Sequence, residues 1–347
     1  MLMRNITLPT GPYDWDPARL PLAIGEARLA SLRALCAKRS LAGVVLTGST
    51  FDDGALVWAT GFTPKLGAAF ALLPVRGDPR LLFSGGPGMK PSAEKLTWLR
   101  DVAALRSPGA DIAAFIKPGG RWGFCDNAGL SRRDRAALAT AGADDADLTA
   151  DIARLRRLPD AAVDASAARA KAILRELEAG LRDDFRARAG RFEAALAAEA
   201  LARRAGAQDL RLRLSTRENG PAEPVDPSPA LLPPNGHFAI ALRVEGLWLC
   251  VRSGTDGRDP RLAARWRAWL TPLADGACHR PGRDVTVAPL GYSIVEPLVP
   301  ADDRFRAGQL IVATVTGEDH AASAIVRIEA DGGRVLWAAP ALSGDLS

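Results

Sequence analysis

Apolar and polar positions follow two different regimes along this chain. Over residues 26–40, "EARLASLRALCAKRS", apolar residues recur every three to four positions and predict a helix. Short apolar runs punctuated by Gly, Pro and Asp follow. "AGVVLTG" (42–48), "ALVWATGF" (55–62), "AAFALLPV" (68–75) and "RLLFSGG" (80–86) read as strands. "ADIAAFIKPGG" (110–120) reads as helix, "RWGFCD" (121–126) as extended chain, and "SRRDRAALATAG" (131–142) as helix behind Ser131 as N-cap. Helices interleaved with strands predict a three-layer α/β domain, placed over residues 1–158.

Beyond Pro159 the regime changes. "AAVDASAARAKAILRELEAGLRDDF" and "RFEAALAAEALARRAGA" read as two Ala-rich amphipathic helices divided near Gly190. The pattern then turns to β at 209–216, 237–253, 308–317 and 321–337. The second and fourth of these read as hairpins turning at Glu245-Gly246 and Asp331-Gly332. One helix, "PRLAARWRAWLTPLADGA" (260–277), interrupts them and carries Trp266 and Trp269 on one face. Helices followed by antiparallel strands predict an α+β domain over residues 159–347. The Pro-rich stretch 218–236 is a loop long enough to suggest function or disorder.

Composition narrows the class. With 48% hydrophobic and 24% charged residues, the chain can bury a sizeable core. No apolar run reaches the roughly eighteen residues of a membrane span, and the N-terminal stretch has no signal-peptide pattern, so a cytoplasmic protein is expected. The net charge is +5, but arginines are scattered among Asp and Glu rather than gathered in a phosphate-binding stripe. Neither nucleic acid nor membrane is therefore expected as a partner. Cys36, Cys125, Cys250 and Cys278 show no metal-ligand spacing, and Cys36 and Cys250 sit in apolar patterns that read as core. "LTGST" and "FSGGPG" lack the order of dinucleotide and phosphate loops, and no Gly-Xaa-Ser-Xaa-Gly elbow is present.

Several landmarks stand in a familiar order: "WATGF" in the first domain, then "AGRFEAALAAEALARRAGAQD", "RPGRDV", "GYSIVEP" and "FRAGQLIVATVTG". This set resembles the pita-bread metallopeptidases, Xaa-Pro aminopeptidase and prolidase, with their metal-free relative creatinase. The resemblance implies an α/β N-terminal domain and a pita-bread C-terminal domain with a curved antiparallel sheet. It also implies a homodimer. In the metal enzymes two Asp, one His and two Glu hold a pair of divalent ions that activate a hydroxide.

Carried over residue by residue, that ligand set is missing. Val225 stands where the family has an upstream His. Ala241 takes the first Asp position, and Cys250 or Leu249 the second. Tyr292 follows Gly291 where a His ligand is expected, and Thr316 takes the first Glu position. The final hairpin opens on "AASAIV", with nothing acidic, and Glu329 comes too late. His237, His279 and His320 have no ligand spacing with one another. No metal or other cofactor is therefore expected.

Glu296 matches the family's Glu-Pro after the Gly-His loop. It is either a carboxylate facing the old cavity or an ion-pair partner of a nearby Arg such as Arg252. Two functions remain open. One is a non-catalytic homologue that binds a peptide, small molecule or partner in a cavity lined by Val225, Ala241, Cys250, Arg252 and Thr316. The other is a metal-independent, creatinase-like hydrolase of a small amide or guanidino compound, with Glu296 and Tyr292 as its acid–base groups.

Overall fold

The structure is a computed structural model of the 347-residue chain. It describes residues 14–50, 53–64, 66–116, 120–125, 131–143, 146–215, 224–233, 236–255, 259–278, 284–292, 294, 298–300, 303–317 and 321–342, the side chain of Asp134 excepted. The chain divides into two compact units, Met1–Arg156 and Arg157–Ser347.

The first unit contains α1 (Leu22–Lys38), β1 (Gly43–Ser49), α2 (Gly54–Thr60), β2 (Ala68–Pro74), β3 (Arg80–Phe83), α3 (Lys90–Glu94), β4 (Asp101–Ala104), α4 (Pro108–Phe115), β5 (Trp122–Cys125), α5 (Arg132–Thr140), β6 (Ala146–Asp147) and α6 (Thr149–Arg156). Its strands form one mixed sheet in the order β4-β3-β2-β1-β5-β6. β1 runs antiparallel to β2 and parallel to β5. Val44, Val45 and Leu46 are all fully buried, so β1 is covered on both faces and shows an unbroken apolar run instead of alternation. Val45, Phe70, Leu72 and Leu82 pack with Ile112 of α4 and Leu138 of α5 in one cluster.

Residues 55–62 correct the sequence expectation. Residues 55–60 belong to helix α2, not to a strand, and all seven residues of α2 are buried. A run that is apolar on every side has no periodicity to read, so its period cannot separate helix from strand. Gly61 closes α2 at φ 73°, a left-handed conformation that glycine adopts without strain. Thr60 secures the same turn through its Oγ1, which donates to the Leu56 carbonyl at 2.7 Å.

The second unit opens with α7 (Ala161–Ala187) and α8 (Arg191–Arg204). Asp160 caps α7, its Oδ1 accepting from the amides of Ala162 and Val163 at 3.1 and 3.0 Å. Buried positions recur along α7 from Val163 through Ala170, Leu174, Leu177 and Leu181 to Phe185, which gives it one apolar stripe. The strands follow as β7 (Asp209–Leu214), β8 (His237–Val244), β9 (Leu247–Gly254), β10 (Val285–Pro289), β11 (Leu310–Thr316), β12 (Ala321–Ile328) and β13 (Gly333–Ala338), with α9 (Pro260–Leu270) after β9. They make two antiparallel sheets, β7-β8-β9 and β10-β11-β12-β13. The β8–β9 turn has Glu245 at φ 52° and Gly246 at φ 82°, the paired left-handed residues of a tight hairpin. That turn fixes the register, with Val244 opposite Leu247 and Ala241 opposite Cys250.

One carboxylate joins α7 to both sheets. Glu178, 5% exposed, accepts hydrogen bonds from Ser253 Oγ at 2.5 Å, Trp337 Nε1 at 3.1 Å and Arg182 Nη2 at 3.2 Å. Burial pushes its pKa up, against the downward pull of Ser253, Arg182 and Trp337.

Candidate functional site

The β7-β8-β9 sheet has two chemically opposite faces. Leu210, Leu212, Phe238, Ile240, Leu242, Leu249 and Val251 are buried on one of them. That face meets α7, where the Phe185 and Phe238 rings lie 6.2 Å apart. The alternate residues point the other way, as strand periodicity requires. They form three cross-strand rows: Asp209–Arg243–Trp248, Arg211–Ala241–Cys250 and Arg213–Ala239–Arg252. Cys250 is exposed, which corrects its reading as core. Its apolar neighbours Leu249 and Val251 belong to the opposite face, so the apolar pattern around it says nothing about Cys250 itself.

This open face is basic. The guanidinium carbons of Arg211 and Arg243 lie 5.6 and 5.5 Å from the ring centroid of Trp248. Arg243 and Trp248 are buried, and desolvated contacts of this kind contribute about 2 kcal/mol, against about 0.5–1 kcal/mol at exposed sites. Arg213 meets Asp226 at 3.5 Å, but both side chains are largely in water, where such a pair holds weakly. Asp209 is drawn to the edge, its Oδ1 accepting from the Leu210 amide at 2.9 Å and lying 3.6 Å from Arg203 Nη2. Exposed Arg211 has no carboxylate partner among the described residues.

Hydroxyl groups form the seam between the two sheets. The Arg252 amide donates to Ser323 Oγ at 2.9 Å, and the Thr314 and Ser323 hydroxyls lie 2.8 Å apart. At the other end of β9 the Trp248 amide donates to the Gly291 carbonyl at 2.7 Å, which places buried Tyr292 beside the same strand.

Ala241, Cys250, Arg252 and Tyr292 thus gather around β8 and β9. Thr316 sits at the far end of β11, its amide donating to the Asp284 carbonyl at 2.7 Å and its carbonyl accepting from Arg265 at 2.9 Å. Val225 pairs with Leu214 through reciprocal backbone bonds of 2.8 and 3.0 Å at the end of β7. His237 opens β8, half-buried. Glu296, His279 and His320 lie outside the described residues. The sequence reading did not single out Thr314 and Ser323. Their pairing depends on the β11–β12 register, and only two short polar side chains in apolar strands could have signalled it.

A pair of hard divalent ions needs anionic oxygen ligands. Around this strand face stand a methyl group (Ala241), a thiol (Cys250), two hydroxyls hydrogen-bonded to each other (Thr314 and Ser323) and a guanidinium (Arg252). Among the described residues, this donor set does not fit such ions. Among the described residues no three or more His, Cys, Asp or Glu side chains converge as a metal site.

Comparison with protein-family models gives no match, and comparison with the curated proteins gives none either. Solved structures do match. A dipeptidase PepE from Mycobacterium ulcerans is 17% identical with a TM-score of 0.68, over 90% of this chain and 95% of its own. A prolidase from Pyrococcus furiosus is 13% identical with a TM-score of 0.69, over 92% and 99%. An X-Pro aminopeptidase from Thermotoga maritima is 13% identical with a TM-score of 0.69, over 90% and 98%. The chain has the pita-bread fold of these structures, with a mixed α/β unit followed by antiparallel sheets and helices.

Proposed function

We propose that this pita-bread protein is a divergent relative of the Xaa-Pro aminopeptidases and prolidases that binds an anionic small molecule or peptide carboxylate without cleaving it. The observation that carries this reading is the row Arg211–Ala241–Cys250. A guanidinium with no carboxylate partner among the described residues stands beside two small side chains on an open strand face. Arg presents a planar fork of donors that matches a carboxylate, and the small neighbours leave room for the rest of a ligand. In this reading Arg252, Cys250 and Ala241 line the site, Val225 and Thr316 mark its margins, and Tyr292 adds a polar contact.

The test is titration calorimetry with N-acyl amino acids and dicarboxylates against wild type, Arg211→Ala and Glu296→Gln. Saturable binding weakened at least tenfold by Arg211→Ala, with an unchanged melting temperature, supports the site. No binding by any probe, or binding indifferent to Arg211, overturns it. Turnover of a small amide or guanidino compound by wild type, lost in Glu296→Gln, overturns the non-catalytic reading in favour of a metal-free hydrolase.

A further inference from the structure

Within the first unit lies a groove of about 790 Å³, lined by Leu22, Glu26, Leu29 and Arg33 on one side and by Asp78, Pro79 and residues 98–101 on the other. The first four positions fall at i, i+4, i+7 and i+11 of α1, so one stripe of that helix forms a whole wall. Trp98 lines the groove beside Gly25. A Cβ on Gly25 would lie 2.6 Å from its ring, so only glycine lets the indole sit this close, and Trp98 Nε1 is anchored on the Ala59 carbonyl at 3.1 Å.

Glu26 and Arg33 stand apart along the groove, and Asp78, next to Gly77, lies at the Arg33 end. Exposed Glu26 is the helix neighbour of Gly25 at the Trp98 end. Toward the other end, Arg33 is held by the carbonyls of Pro74 at 3.1 Å and Gly77 at 2.5 Å, with Nη1 still free of those two bonds. Arg100 is exposed in the facing wall. Glu26, Asp78 and Arg100 have no hydrogen-bonding or ionic partner among the described residues. Asp101 is committed to Arg80 at 2.7 Å.

We propose that this groove binds a short zwitterionic peptide of about three residues. Its N-terminal ammonium would lie against Trp98 and Glu26 and its C-terminal carboxylate against Arg33 and Arg100. An aromatic face with an adjacent carboxylate is the chemistry that recognises an ammonium group. A pre-oriented guanidinium is the chemistry that recognises a carboxylate. Glu26 and Arg33 are seven residues apart, which on a helix is roughly 10 Å. An extended peptide advances roughly 3.3–3.6 Å per residue, so about three residues bridge that span. Leu22, Leu29 and Leu99 supply apolar contacts for its side chains. The cavity falls in the range of roughly 300–1,000 Å³ that holds small ligands.

The test is calorimetry with trialanine, N-acetyl-trialanine and trialanine amide on the full chain. Trialanine should bind one to one, and each blocked form at least tenfold more weakly. Glu26→Gln should weaken trialanine without affecting the already blocked N-acetyl form, and Arg100→Ala should weaken trialanine in the same way for the amide end. Both positions are exposed, so the melting temperature should not change. The groove's lining belongs to the first unit and Arg211 to the second, and Arg211→Ala should leave trialanine binding intact. No binding of trialanine, equal binding of the blocked peptides, or loss of binding in Arg211→Ala but not in Glu26→Gln would each overturn the proposal.

Discussion

Glu178→Ala removes the acceptor that Ser253, Trp337 and Arg182 share. The variant leaves a buried hydroxyl and a buried indole N–H without a partner, at about 1–3 kcal/mol each, and opens a small cavity. Breaking a buried network of this kind by deleting one member costs about 3–5 kcal/mol. At roughly 2–4 °C per kcal/mol for a unit of this size, the melting temperature should fall by about 6–20 °C. Glu178→Gln keeps one oxygen for Ser253 but turns an amide donor toward another donor, and should cost about half as much.

The pH dependence follows from the raised pKa. The folded-state value lies above the ordinary 4.5, so the stability this group contributes is full below about pH 4.5 and is lost as pH rises through the folded pKa. The advantage of wild type over Glu178→Gln should therefore be largest in acid and shrink toward neutral pH. Urea denaturation at several pH values measures both effects. A Glu178→Ala cost under 1 kcal/mol, or a gap that widens with pH, refutes the reasoning.

Four further outcomes are expected. Elemental analysis of protein purified without chelator should find no stoichiometric manganese, cobalt or zinc, and one tightly held ion per chain would count against the site described. Gly25→Val drives a side chain into Trp98 and should destabilise by about 1–3 kcal/mol in thermal melts, with loss of trialanine binding. Burial pushes the Cys36 thiol up to about 11, and Cys125 is also buried, so a disulfide reagent at pH 8 should modify exposed Cys250 and Cys278 first, with Cys36 and Cys125 reacting only after unfolding. Light scattering should give a homodimer, twice the 36.6 kDa of one chain, and a monomer at micromolar concentration would argue against that expectation.

Elements with a period of their own were legible in the sequence. The break between α7 and α8 at Gly190, the alternation of β7, and the Glu245-Gly246 turn can all be read directly. Residues 54–60 could not, because their burial on all sides erases the period. Strand alternation puts Ala241 and Cys250 on one face, but the apolar residues flanking Cys250 made it read as core. The site was not legible where two strands must be put in register, as with Thr314 and Ser323, whose hydroxyls meet only because β11 and β12 pair residue for residue. The groove along α1 depends on Trp98 packing against Gly25, a contact that no local pattern announces.

Helix α7 ties distant parts of the chain to one rod of roughly 40 Å. Its Phe185 touches β8, its Glu178 holds β9 and β13, and its Asp164 bonds Arg327 of β12 at 2.6 Å. About 150 residues separate the end of this helix from Trp337. At a synthesis rate of roughly 5–20 residues per second, that stretch takes about 8–30 s to emerge. During that time the apolar stripe of α7 has only α8 and the nearest strands to cover it. The helix that organises the finished unit is therefore also a surface that stays incompletely covered until β12 and β13 emerge, and substitutions in β12 or β13 should reduce the yield of folded protein even where they leave the melting temperature of the purified product unchanged.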